Sequence, residues 1–393
     1  MPRDLCCPDC DRTFAAGPDE PWRCECGHPL EFLDPPLPAG GSQPPFSKLD
    51  TRRGLWTFFE FLPVAERVSL GEGFTPLVDA PEWSAQFKLE YVSPTGSFKD
   101  RGATTTLSRA VELGVDTVIE DSSGNAGAAI ATYAARAGID AEIYVPADVK
   151  ESKLLAIQRA GARPVRIEGS REDVTAAAVE AVEDGDAWYA SHAWNPAFFA
   201  GTMTFAFEVA AQRDWTVPDA VVLPAGHGTL LLGAYRGFRR LAEAGITDSM
   251  PRLLAAQAAG YQPLVDRVRG EDHDPVGADG DAADQDLDEA IRTLQERNEG
   301  GEDPPDNEIA DAIHISDPAR EDQLVAAIED TGGDAVAVTG DALELTLDRL
   351  HRGGFYTEPT CAVAPAALAQ FREEGVVASH EDVVVALTGT GFK

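Results

Sequence analysis

The chain has 393 residues, 44% of them apolar, which is enough for two or three packed domains and too apolar for a disordered polypeptide. Its 32 basic residues face 67 acidic ones, and a formal net charge of −35 excludes nucleic acid and anionic membrane surfaces as partners. No run approaches the roughly 20 apolar residues of a membrane-spanning helix.

The start, Met-Pro-Arg-Asp-Leu-Cys-Cys, lacks the apolar core of a signal peptide, so a cytoplasmic setting is expected. Only six of the 32 basic residues are lysines, and acidity with scarce lysine predicts adaptation to a salt-rich (halophilic) cytoplasm, where ions screen self-repulsion.

Five of the six cysteines fall in the first 26 residues. Cys7-Pro8-Asp9-Cys10 is a knuckle, and Cys24-Glu25-Cys26-Gly27 follows after thirteen intervening residues. Two such pairs brought together by a hairpin can wrap one tetrahedral zinc through Cys7, Cys10, Cys24 and Cys26, in a structural role that leaves no open position for a substrate. The second pair is one residue tighter than an ordinary knuckle, so Cys6 and His28 stand as substitute ligands. Two disulfides are the other use of four cysteines, and a reducing cytoplasm disfavours them. Residues 1–33 are expected to form this ribbon-like module. Asp34 to Pro45 carries five prolines and reads as a linker, the start of a linker and arm over 34–70.

The next informative segment is Ser93-Pro94-Thr95-Gly96-Ser97-Phe98-Lys99-Asp100-Arg101-Gly102. A glycine-containing turn leads into good helix formers from about residue 101, which puts Lys99 at a helix amino terminus. The positive end of the dipole there disfavours protonation, and a neutral lysine is a nucleophile able to form a Schiff base.

From about residue 115, short β-branched runs alternate with helical patterns. Strands are expected at 117–120, 142–145, 164–167, 188–190, 220–223 and 252–256. Helices are expected near 126–137, 150–160, 171–183, 197–212 and 229–244. Strands separated by crossover helices predict an α/β fold of two lobes with open, mostly parallel sheets covered on both faces.

Three turns in this pattern carry polar groups. Asp121-Ser122-Ser123-Gly124-Asn125-Ala126-Gly127 follows a strand and opens a helix of small residues, presenting N–H groups and hydroxyls to an anion such as an amino-acid carboxylate. Asn125 adds a side-chain donor for a phenolic oxygen. Gly226-His227-Gly228-Thr229 repeats the strand–turn–helix design and can close around a phosphate. Val383 to Leu387 is a buried strand that ends in Thr388-Gly389-Thr390-Gly391. Between the last two, 271–308 holds 15 acidic residues against two arginines and reads as a solvated surface insertion with one short helix around 287–297.

A Schiff-base lysine, a carboxylate cradle, a phosphate cradle and a hydroxyl at a strand end are the groups needed to hold pyridoxal phosphate and an amino acid. Cys361, Tyr133 and Phe205 read as core, and His192, His314 and His351 as structural.

With these motifs assembled, the chain resembles the second fold type of pyridoxal-phosphate enzymes, and specifically the threonine synthase family. Gly71-Glu-Gly-Phe-Thr-Pro-Leu77, Pro94 to Gly102, Ser123-Gly-Asn-Ala-Gly127, Glu358-Pro-Thr360 and Leu387 to Lys393 match that family's pattern. The resemblance runs from about residue 1 to the carboxyl terminus, the acidic insertion excepted. It implies a large cofactor-binding lobe over 71–95 and 213–393, and a small substrate lobe over 96–212.

The resemblance further implies that Lys99 carries the cofactor as a Schiff base and moves protons. Asn125 would meet the cofactor's ring hydroxyl, and Gly226, His227, Gly228 and Thr229 its phosphate. Thr388 would face the ring nitrogen. Ser97, Ser123, Gly124, Ala126 and Asn195 would hold the substrate. The implied reaction turns O-phospho-L-homoserine and water into L-threonine and phosphate, in a lyase that is commonly a homodimer.

One departure stands out. Where many family members read Asn-Pro-Tyr-Arg-x-x-Gly, with the arginine gripping the substrate's phosphate, this chain reads Asn195-Pro196-Ala197-Phe198-Phe199-Ala200-Gly201. A phenyl ring cannot replace a guanidinium fork on a dianion. The same machinery could therefore serve a threonine or serine ammonia-lyase, or a β-replacement enzyme such as cysteine synthase.

Overall fold

The computed structural model describes residues 2–38, 40–41, 43–270, 307 and 309–392. In chain order the strands are β1 (Leu5–Cys6), β2 (Thr13–Phe14), β3 (Glu31–Phe32), β4 (Leu77–Ala80) and β5 (Ala85–Leu89). They continue as β6 (Thr117–Glu120), β7 (Asp140–Pro146), β8 (Arg163–Ile167), β9 (Trp188–Tyr189) and β10 (Ala220–Pro224). The last three are β11 (Arg252–Ala258), β12 (Asp334–Val338) and β13 (Val383–Leu387).

The first helices are α1 (Lys99–Leu113), α2 (Asn125–Ala137), α3 (Glu151–Arg159) and α4 (Arg171–Asp184). Then come α5 (Pro196–Thr202), α6 (Thr204–Gln212), α7 (Thr229–Glu243) and α8 (Pro263–Arg269). The series closes with α9 (Glu321–Asp330), α10 (Gly340–Arg352) and α11 (Val363–Glu373).

Two compact units result. The first comprises Met1–Phe74, Ser93–Glu208 and Glu243–Ile246, and the second Thr75–Val92, Val209–Ala242 and Thr247–Lys393.

The first unit holds a small antiparallel sheet in the order β2-β1-β3 and a parallel sheet in the order β8-β7-β6-β9. Helix α1 is buried almost all round, from Asp100 to Ala110, which leaves little polar–apolar periodicity in its sequence. Both α1 and α2 stop at a glycine in the left-handed region, Gly114 and Gly138, where an L side chain would be strained. Helix α4 starts at a capping box in which Ser170 and Asp173 satisfy each other's backbone N–H.

The cysteine module is tied to the parallel sheet's unit through Glu20 and Trp22. Arg109 Nε donates to Glu20 Oε1 at 2.8 Å, and Trp22 packs edge-on against Tyr189 and Trp194.

The second unit is one six-stranded sheet in the order β12-β11-β10-β13-β5-β4, parallel throughout except for the antiparallel edge strand β4. Strands β10 and β13 are buried along their whole length, so they read as continuous apolar runs. The α/β architecture of open, mostly parallel sheets flanked by helices is therefore present.

Two details differ from the sequence reading. The helix expected over 197–212 is broken at Met203 into α5 and α6. Thr204 Oγ1 donates to the Gly201 carbonyl at 2.6 Å, claiming an acceptor that a continuous helix would use for its own ladder. The acidic insertion, including the helix expected around 287–297, lies almost wholly outside the described residues. Asn307, at its far end, is no solvated loop residue: it is fully buried, and its Nδ2 donates to the Val338 carbonyl at 2.9 Å.

Candidate active site

In the first unit, Lys99 is the first residue of the 15-residue helix α1, two positions earlier than the sequence pattern predicted. The lysine is half-buried, and its Nζ lies 4.9 Å from the centroid of Phe98 and 5.6 Å from that of Phe198. Aromatic walls and the helix dipole act in opposite directions on the ammonium, since ring faces attract it while the amino terminus repels it.

Ser97, two residues before it, is fully buried, and its Oγ finds no hydrogen-bond partner among the described residues. A buried hydroxyl left over in the protein is one that a bound group is expected to satisfy.

The carboxylate cradle follows β6. Ser122 Oγ accepts from the Gly124 N–H at 3.3 Å, and α2 opens at Asn125 with Ala126 buried in its first turn. Ser123, Gly124 and Asn125 are all half-buried, at the open end of that helix.

Asn195 is placed differently. Its Oδ1 accepts from Ala197 N at 2.9 Å and its Nδ2 donates to the Tyr189 carbonyl at 3.2 Å, so the amide ties the start of α5 to the end of β9. Phe198 is fully buried, and a Cβ on Gly102 would fall 2.2 Å from its ring, so the phenyl group is keyed into α1 by that glycine.

One pair escaped the sequence reading. Glu120 ends β6, directly before the Asp121–Asn125 turn, and its carboxylate is clamped by a residue 72 positions away. His192 Nδ1 lies 2.6 Å from Glu120 Oε1, and the His192 N–H donates to Oε2 at 3.1 Å. Burial pushes the Glu120 carboxyl up to about 8, against the lowering influence of Lys99 and of the His192 N–H. Burial, with Lys99 nearby, holds His192 well below the usual imidazole range. The one sequence signal was a charged residue ending an otherwise apolar strand.

In the second unit, Gly226, His227 and Gly228 link β10 to α7, and buried Thr229 is the first residue of that helix. Gly228 has φ +64°, and a Cβ there would lie 2.2 Å from a Leu324 methyl, so a side chain at this position would be strained and would press on Leu324. At the end of β13, Thr388 is buried against Cys361. The Cys361 Sγ lies 3.4 Å from Thr388 Oγ1 and accepts the N–H groups of Thr388 and Gly389 at 3.1 and 3.0 Å. Burial pushes this thiol up to about 12, so Cys361 is a neutral anchor for the strand-end turn.

Residues 68–389 match the family described as pyridoxal-phosphate dependent enzymes. The chain belongs to that family. Among curated proteins it is similar to a threonine synthase of Methanocaldococcus jannaschii, 31% identical over 98% of this chain and 92% of the relative. A threonine synthase of Methanosarcina acetivorans is 33% identical over 85% of this chain and 79% of its own length. Among solved structures, threonine deaminase isoform 2 of Solanum lycopersicum matches with a TM-score of 0.62 at 20% identity, covering 94% of this chain and 92% of that one. A fungal L-serine ammonia-lyase from Rhizomucor miehei gives a TM-score of 0.58 at 21% identity over 80% and 93% of the two chains. At such identities the structures speak for the shared fold.

The residues present suit the family's cofactor. A lysine opens a buried helix between two aromatic rings, and an unsatisfied hydroxyl stands two residues before it. A glycine turn forced to positive φ precedes the buried threonine that opens α7. In the cysteine module, the Sγ atoms of Cys7 and Cys26 lie 3.5 Å apart, as do those of Cys10 and Cys24, and all four fall within 4.8 Å of one another. A second group, Asp9, Cys26 and His28, shares Cys26 with the first. Among the described residues no helix is long and apolar enough to cross a membrane.

Proposed function

We propose that this protein is a threonine synthase that uses pyridoxal phosphate to convert O-phospho-L-homoserine and water into L-threonine and phosphate. The observation that carries the reading is Lys99, the first residue of α1 with its amine between Phe98 and Phe198, within a chain about 30% identical to threonine synthases over most of its length.

When bound, the cofactor supplies an electron sink for carbanions formed next to the substrate's amine-bearing carbon. Lys99 would hold the cofactor's aldehyde carbon and, once displaced by the substrate amine, take and return protons along the substrate carbons as general base and acid. Phosphate leaves from Cγ, and water adds at Cβ. Ser97, Ser123 and the backbone of Gly124 and Ala126 would hold the substrate carboxylate, and Asn195, whose amide also fixes the turn into α5, would contact the substrate. Asn125 would donate to the cofactor's ring hydroxyl, and Gly226, His227, Gly228 and Thr229 would take its phosphate at the start of α7. Thr388, braced by Cys361, would offer the ring nitrogen a neutral hydroxyl, which leaves that nitrogen largely unprotonated and suits elimination and replacement chemistry.

Cys7, Cys10, Cys24 and Cys26 would bind one structural zinc. A tetrahedral site with metal–sulfur bonds of about 2.3 Å needs sulfurs about 3.8 Å apart, close to the spacing these thiols already have. A homodimer in a salt-rich cytoplasm completes the proposal.

A second reading is favoured by one residue. Phe198 stands where an arginine would grip a phosphate, and its ring is fully buried against α1, as suits an ammonia-lyase or a β-replacement enzyme. Incubating the purified protein in concentrated KCl with phosphohomoserine, threonine and O-acetylserine separately tells them apart. Threonine and phosphate from the first support the proposal. 2-Oxobutanoate from the second, or β-replacement on the third, with phosphohomoserine inert, replaces it.

A further inference from the structure

We propose that Glu120 and His192 are positioning residues for the amine of Lys99: the pair shares one buried proton, and loss of that proton leaves a negative charge beside Lys99 that keeps its amine as the ammonium. The inference deepens the reading of Lys99 as the amine that carries the cofactor.

The geometry fixes the pair tightly. The Glu120 side chain is fully buried and that of His192 only 6% exposed, and both oxygens of the carboxyl face the same residue, one its ring and the other its backbone N–H. Phe198 makes the link to Lys99 indirect. Its ring centroid is 6.0 Å from that of His192 and 5.6 Å from Lys99 Nζ. The pair and Lys99 thus share Phe198 as a neighbour, and a charge on the buried pair acts on the amine through its field.

The other charged and titratable groups around the pair are Asp121, next in the chain, Arg171 at the start of α4, and Tyr189 of β9. Burial favours the uncharged pair, with its one proton between carboxyl and imidazole, and the charge of Lys99 opposes this by drawing the proton away. The influence is reciprocal. An ionised Glu120 must make Lys99 harder to deprotonate by the same free energy. In neutral solution the pair is then uncharged and adds no hold on the amine. In alkaline solution the carboxylate appears, and at a given pH less of the amine is free than beside an uncharged pair.

The test uses the full-length chain freed of cofactor with hydroxylamine, so that Lys99 is a plain amine. Trace acetic anhydride is added at about pH 6.5 and about pH 9, and acetylation at Lys99 is read by peptide mass analysis, with the exposed Lys150 as internal standard. Glu120→Gln is expected to match the unmodified chain at the lower pH and to label Lys99 about threefold more at the higher one. Equal labelling at the higher pH overturns the proposal, and so does the same change at both, which packing alone would cause.

A second measurement needs no stable Glu120 variant. In the full-length chain with ¹⁵N-labelled histidine, the His192 signal (assigned by its absence in His192→Gln) should remain that of a neutral imidazole below about pH 6. It should also sense one proton loss in alkaline solution. An imidazolium forming in the ordinary histidine range overturns the proposal. Either failure, in an enzyme that still carries cofactor on Lys99 and makes threonine, removes this inference alone.

Discussion

Arg101 and Glu208 are both fully buried, joined by two hydrogen bonds of 2.5 and 2.8 Å, and Arg101 lies two residues into the helix that Lys99 begins. Removing one partner leaves the other as an uncompensated buried charge, which typically costs about 3–5 kcal/mol. Glu208→Gln should therefore lose about that much in urea unfolding at fixed KCl, and a loss below about 1 kcal/mol would show that water reaches the pair. At Lys99 itself the expected loss is chemical. Lys99→Ala should fold with unchanged stability and lose at least about 10³-fold in kcat, since it removes the acid–base group.

Glu120 adds a pH dependence whose sign follows from its environment. Its carboxyl is raised from 4.5 to about 8, so its share of stability is complete below the first value and lost as pH rises through the second. His192, lowered from 6.5, acts oppositely, with a share present above that value and lost as pH falls. The two slopes cancel below about 6.5 and leave a net fall in stability from there to about 8. In Glu120→Gln the unfolding midpoint should stay flat across that window.

The residues of this site were unequally visible in the sequence. Lys99 stood out because a turn, an aromatic residue and a helix start flank it within four positions. The Glu120–His192 pair did not, because its members are 72 residues apart and meet only when β6 and β9 pair. Cys361 read as small and apolar. Its contact with Thr388 depends on a chain reversal that no local pattern encodes.

At the scale of elements, periodicity located the strands and helices between 115 and 256 to within one or two residues at most ends. The expected elements were those with an apolar run or an amphipathic face. The exception was the α5–α6 break, which turns on a single threonine hydroxyl. The two-residue strands of the cysteine module carry no periodicity to read, and its few buried apolar residues, Leu5, Leu30 and Phe32, lie too far apart in sequence to form a run.

That module gives the prediction at this scale. The purified protein should contain about one zinc per chain, and chelation should lower its unfolding temperature. Cys7→Ser should abolish both the metal and the response to chelator. A metal-free protein with the same unfolding temperature would contradict the assignment.

For the whole molecule, a net charge of −35 repels itself at every separation shorter than the screening length, about 10 Å at 0.1 M salt and about 3 Å at 1 M. Raising KCl from about 0.1 to about 2 M should raise the unfolding temperature and sharpen the transition. An unfolding temperature independent of KCl would separate the composition from any adaptation to salt. The composition spoke clearly about class, and the strand–turn–helix motifs about chemistry. What composition could not supply was the leaving group.

Treatment of the purified protein with borohydride, followed by peptide mass analysis, tests the central claim most directly. A stable pyridoxyl adduct on Lys99, and on no other of the six lysines, is the predicted result. A colourless protein without an adduct, or an adduct on another lysine, contradicts it.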